Sequence, residues 1–141
     1  MASFDVKAVE VREINGNGDS KDTTACFDIT ALLGFSGGRK GSLLISFPQN
    51  IAFRTVGGML GVEFNAIDSD VRDGVSELVN MIAGGAKTKL QSKGIDFELS
   101  IPNTIIGRHH QIAAAACTTR THVDFDSELG SFFIEVYLKE D

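Results

Sequence analysis

A chain of 141 residues with a formal charge of −6 carries 13 Lys and Arg, scattered so that Arg39 and Lys40 form its only adjacent basic pair. Phosphate backbones need clustered cations, so nucleic acid is not the expected partner. With 43% hydrophobic residues, 23% charged residues and 2 Pro, the composition fits one globular domain over 1–141, a size that buries about 68–70% of the unfolded surface. Cys26 and Cys117 stand far apart without C-x-x-C spacing, which argues against a disulfide framework or zinc site and points to a reducing cytoplasm. No apolar run approaches ~18 residues and the first residues do not resemble a leader, so neither membrane nor secretion is expected.

In chain order, the β-branched run from Phe4 to Ile14 predicts a strand, and Asn15 to Asp19 (Asn-Gly-Asn-Gly-Asp) predicts a turn. A second strand is expected from Thr23 to Leu33, a glycine turn over Gly34 to Gly38, and a third strand from Lys40 to Phe47. Pro48 can pre-set a helix start. Ile51, Ala52, Val56, Met59 and Leu60 then recur at helical spacing, and Gly61 closes that helix. Ile67 to Asp70 supplies N-cap oxygens for a helix running from Ser69 to Ser92, about 36 Å at ~1.5 Å per residue, with Lys87, Lys89 and Lys93 at its negative end. Short strands follow at Phe97 to Ile101, Thr104 to Ile106, Gln111 to Thr121 and Ser131 to Leu138, with Asp124-Phe125-Asp126 read as punctuation. Strands and helices are segregated, which predicts an α+β fold: an antiparallel sheet with two helices on one face.

At ~100° per residue, Val71, Val75, Leu78, Ile82 and Ala86 share one sector of the long helix, with Val79 and Leu90 beside it. Asp73, Glu77, Asn80, Gly84 and Gln91 fall opposite. Polar residues opposite a core stripe are ordinarily solvated surface. Two details argue for more here. Asn is a poor mid-helix residue, and Gly84-Gly85 costs about 1 kcal/mol per Gly relative to Ala. Gly84 on the outward face leaves room for another protein to approach closely.

Ser76 to Lys87 (Ser-Glu-Leu-Val-Asn-Met-Ile-Ala-Gly-Gly-Ala-Lys) resembles the E-x-x-N helix of the CheX branch of the CheC/CheX/FliY phosphatases. The Gly34 to Gly38 turn, the Lys40 to Phe47 strand and Ile101 to Gly107 (Ile-Pro-Asn-Thr-Ile-Ile-Gly) resemble other parts of that family in the same order. One E-x-x-N helix is present, as in CheX, whereas CheC carries two. Members of that family usually begin with an amphipathic helix, whereas this sequence is expected to start almost at its first strand.

The resemblance implies a phosphatase that hydrolyses the aspartyl phosphate of a CheY-like response regulator. It implies that Asn80 positions the attacking water and Glu77 pairs with a lysine at the regulator's phosphorylation site, making these the catalytic residues. Asp73, Met81 and Gly84 are the expected partner-binding surface around them. The Mg²⁺ would belong to the regulator, and this chain is expected to bind no metal itself. A homodimer through the sheet is expected. The alternative is a non-catalytic binding module of the same fold that docks on a response regulator or flagellar switch component.

Other motifs are weaker. Lys40-Gly41-Ser42 fails the G-x-x-x-x-G-K-[ST] order of a phosphate loop, and a hairpin is expected there. His109 and His110 are adjacent, so in a strand they point to opposite faces; with His122 they read as surface histidines. Cys117, in an apolar run, reads as inert core.

Overall fold

A computed structural model describes residues 6–15, 23–38, 40–107, 110–113, 118–128 and 130–139. Residues 16–19 of the expected turn, His109 and Cys117 lie outside the described residues. The element order is β1 Val6–Asn15, β2 Thr23–Ala25, β3 Ile29–Gly37, β4 Gly41–Phe47, α1 Gln49–Leu60, α2 Ser69–Gln91, β5 Phe97–Leu99, β6 Asn103–Ile106, β7 Gln111–Ala113, β8 Thr118–Ser127 and β9 Gly130–Lys139. Seven strands form an antiparallel sheet ordered β1-β8-β9-β4-β3-β5, with β6 also on β3, while β2 pairs β7 separately. The α+β expectation holds, with both helices against one face.

Strand alternation explains the two faces. Ile29, Ala31, Leu33, Ile45, Phe47 and Phe132 point toward the helices and meet Ile51, Ala52 and Val56 of α1 and Val71, Val75 and Val79 of α2. The alternate residues carry a smaller cluster of Cys26, Leu44, Phe133 and Tyr137 on the opposite face. That face also buries Glu135, whose carboxylate lies 3.3 Å from His122 Nδ1 and 3.5 Å from Arg120 Nε and accepts from the Tyr137 hydroxyl at 3.3 Å. His122 is therefore not the surface histidine expected from sequence: it is 8% exposed and stacks on Phe133. His110 is half-buried, with Nδ1 2.7 Å from the Gly107 carbonyl, which can only accept, so Nδ1 donates there.

Several boundaries differ from the sequence reading. β3 runs on through most of the expected glycine turn to Gly37, because Phe35, Ser36 and Gly37 pair with Leu99, Glu98 and Phe97, and the strand expected over Phe97 to Ile101 ends at Leu99. The strand expected over Thr23 to Leu33 breaks at Asp28, because that carboxylate turns to accept the Gln49 N–H at 2.8 Å. It thereby caps α1, whose own N-cap, Pro48, has no side-chain acceptor. The strand expected over Gln111 to Thr121 is two, β7 and β8. β8 then runs straight through Asp124-Phe125-Asp126, since Phe125 stacks flat on Phe132 at 5.0 Å and the aspartates take the alternate positions.

Candidate functional site

α2 is fixed at both ends by local chemistry. The Asp68 side chain accepts from Val71 N–H at 3.0 Å, and Asp70 sits in the first turn, both favoured at the positive helix end. At the other end Gly94 adopts φ 82° and Ile95 N–H reaches back to Leu90 O at 2.9 Å, the bond that closes a Schellman motif. Between these caps the fully buried row is Val71, Val75, Val79 and Ala83. Leu78 and Ile82 are half-buried. Ala86, expected in the buried stripe, is exposed: it lines an apolar groove of about 630 Å³ with Ala83, Leu90, Leu43, Val136 and Leu138.

The opposite side of α2 carries the candidate residues. Asp73 and Glu77 are exposed, Asn80 and Gly84 half-exposed, and Met81 is 58% exposed. Glu77 and Asn80 are one turn apart and so share a face. Among the described residues neither side chain is drawn into a hydrogen bond or ion pair, so both remain available to a partner. A Cβ built on Gly84 or on Gly85 meets nothing within 4 Å, and the helix therefore bears the entropic cost of two glycines without any packing need inside the molecule. Gly74 is the contrast. A Cβ there would strike both Val56 methyls, Cγ2 at 2.8 Å, so this glycine is required where α1 crosses α2.

The two flanks of α2 face different neighbours. α1 lies along the Gly74 side and packs toward β4, while β6 is on the far side of β3 from β4 and so toward the other flank. Asn80 is ~100° around the helix from buried Val79, away from Gly74. Asn80 is half-exposed on that flank, whereas Glu77 and Met81 stand clear. One strongly exposed residue was not among the sequence candidates. Ile101, between β5 and β6, is 85% exposed; only the Pro102 that follows it hinted at irregular backbone.

The family model for the chemotaxis phosphatase CheX matches residues 29–126. The chain belongs to the CheX family. A curated CheX relative, the CheY-P phosphatase CheX of Thermotoga maritima, is 30% identical over 101 residues, spanning 71% of this chain and 65% of the relative's length. The solved chemotaxis protein CheX of Vibrio vulnificus is 30% identical with a TM-score of 0.84, covering 99% of this chain and 89% of that one. A CheX–CheY–BeF3–Mg²⁺ complex from Borrelia burgdorferi is 19% identical with a TM-score of 0.68, over 92% of this chain and 84% of that one; that likeness is of the CheX fold alone. Among the described residues, no group of three or more His, Cys, Asp and Glu is placed to hold a metal ion, and no helix is long and apolar enough to cross a membrane.

Proposed function

We propose that this CheX-family chain dephosphorylates a CheY-like response regulator, with Asn80 positioning the attacking water and Glu77 docking on the lysine beside the regulator's phosphoaspartate. The observation that carries the proposal is the outward placement of Glu77 and Asn80, one turn apart and unengaged, beside the open patch at Gly84. An aspartyl phosphate is an activated acyl phosphate. Hydrolysis forms a bond from water oxygen to phosphorus and breaks the bond to the aspartyl oxygen, giving the free carboxylate and inorganic phosphate. Such a reaction needs positioning more than it needs new covalent chemistry. A carboxamide suits the task, because its carbonyl oxygen accepts from the water while its NH2 donates elsewhere. The Mg²⁺ that neutralises the phosphoryl oxygens would be the regulator's.

Family membership and the Thermotoga relative's designation as a CheY-P phosphatase support the same reading. Asp73, Met81 and Gly84 would form the surrounding contact surface. The direct test is inorganic phosphate release from a panel of phosphorylated response regulators, with and without this protein. Acceleration for one regulator, lost in Asn80→Ala, is the expected result. Binding of a regulator with no acceleration would instead make the chain a docking module.

A further inference from the structure

The edge of the sheet beside Asn80 is not a plain strand. β5 pairs β3 with Leu99 opposite Phe35, and β6 pairs β3 with Asn103 opposite Leu32. Three residues, Ser100, Ile101 and Pro102, therefore stand opposite two, Leu33 and Gly34. β5 and β6 are one interrupted edge strand carrying a β-bulge, a device that re-aims a side chain, often beside a functional site. The bulge is held firmly: Ser100 N–H donates to Gly34 O at 2.8 Å, and Ser100 Oγ accepts from Gly34 N–H at 2.7 Å. The side chain it turns out is Ile101, 85% exposed.

A single exposed isoleucine is ordinary on a protein surface. This one is placed. Leu90 and Phe97 both line the apolar groove and only residues 92–96 separate α2 from β5, so the end of α2 and the start of the edge strand lie together. From Leu90 back to Asn80 is ten helical residues, about 15 Å. From Phe97 on to Ile101 is four strand residues, about 13 Å. The short connection turns the chain back, so the edge strand returns antiparallel to the helix, and β6, which contacts α2 from the far side of β3 relative to β4 and α1, lies toward the flank that carries Asn80. Ile101 thus stands level with Asn80, on its side of the helix, while Met81 is exposed beyond Glu77. The polar pair is bracketed by two apolar side chains, one on the helix and one on a pinned bulge.

Resting on the phosphatase reading, we infer that Ile101 is an apolar anchor for the phosphorylated response regulator that docks on Glu77 and Asn80. Interfaces draw most of their affinity from a few well-seated side chains, and an anchor held rigid before binding loses little entropy on docking. The bulge supplies both conditions. Ile101 touches the partner and not the reacting atoms, so its loss raises KM and leaves kcat unchanged.

The experiment is steady-state phosphate release from a CheY-like regulator phosphorylated by acetyl phosphate, with wild type, Ile101→Ser, Ile101→Val and Asn80→Ala. Ile101→Ser should raise KM roughly tenfold or more at constant kcat, with its thermal unfolding midpoint unchanged, and Ile101→Val should restore most of the affinity. If Ile101→Ser keeps a wild-type KM while Asn80→Ala abolishes turnover, the anchor is overturned and the phosphatase reading stands. If Asn80→Ala turns over like wild type, it is the phosphatase reading that fails. Equilibrium binding of the beryllofluoride-activated regulator then decides the anchor by itself: tenfold weaker binding by Ile101→Ser supports it, and equal binding overturns it.

Discussion

Glu77 and Asn80 sit on one exposed helical turn, yet their environments differ enough to assign them separable tasks. Asn80 is half-exposed on its flank of the helix, whereas Glu77 stands out in solvent where it can meet a cation first. Asn80→Ala should therefore leave regulator binding nearly intact and lower turnover by about 10²–10³, the usual cost of losing one positioned polar group. Glu77→Ala should leave the regulator's lysine unpaired in the interface and weaken binding by roughly 2–5 kcal/mol. Rates measured across regulator concentration separate the two. Cys26 gives a residue-scale prediction unrelated to catalysis. Burial raises its thiol pKa above the ordinary value, with nearby Glu135 adding to the shift and hydrogen bonds from Thr30 and Ser46 partly offsetting it. The folded state thus holds that proton after the unfolded chain has released it. The thiol's contribution is complete below the unfolded pKa and is lost as pH rises past it, above about pH 8.5. Denaturant midpoints should fall less steeply between pH 8 and 10 in Cys26→Ala than in wild type, and parallel curves would refute the assignment.

Within α2, two kinds of glycine make opposite predictions. Gly74→Ala drives a methyl into Val56; overpacking of about 1–3 kcal/mol exceeds the ~1 kcal/mol gained in helix propensity, so stability should fall. Gly84→Ala meets nothing and should raise stability by about 1 kcal/mol while weakening the regulator's approach, a split that thermal melts and binding titrations would show together. The open face was legible in the sequence because its evidence is local: Asp68 before the helix, an Asn and two glycines within it, and polar residues opposite an apolar sector. The stripe's rotation was less legible. The sequence reading put Val71, Val75, Leu78, Ile82 and Ala86 in one sector with Val79 beside it; α2 buries Val71 and Val75 but continues the i, i+4 row through Val79 and Ala83, leaving Leu78 and Ile82 half-buried and Ala86 exposed. The interruption at Asp28 and the bulge at Ile101 were hidden because each is set by residues distant in sequence. Asp28 caps a helix 21 positions away, and the bulge exists only in its register against β3.

Across the whole molecule, the sheet divides stability from recognition. On the side away from the helices, Glu135 is 1% exposed, with Arg120, His122 and Tyr137 directed at its carboxylate. A buried carboxylate in this setting sustains the groups around it, and deleting it removes the charge that faces an Arg120 side chain itself only 12% exposed. Breaking a buried pair from one side costs about 3–5 kcal/mol, so Glu135→Ala should lower the denaturation midpoint sharply. Glu135→Gln, which keeps an acceptor for the Tyr137 hydroxyl but no charge for Arg120, should fall between it and wild type. Neither change touches α2, which lies across the sheet among Ile29, Leu33 and Ile45. Phosphate release per folded molecule should thus match wild type in both variants. Asn80→Ala should do the reverse, leaving stability within about 0.5 kcal/mol, as for surface substitutions without buried partners. Denaturant unfolding and single-turnover dephosphorylation on the same preparations would show this double dissociation. If Glu135→Ala, corrected for its folded fraction, lost turnover as completely as Asn80→Ala, the outer face of the sheet would have to belong to the catalytic machinery, and the division drawn here would fall.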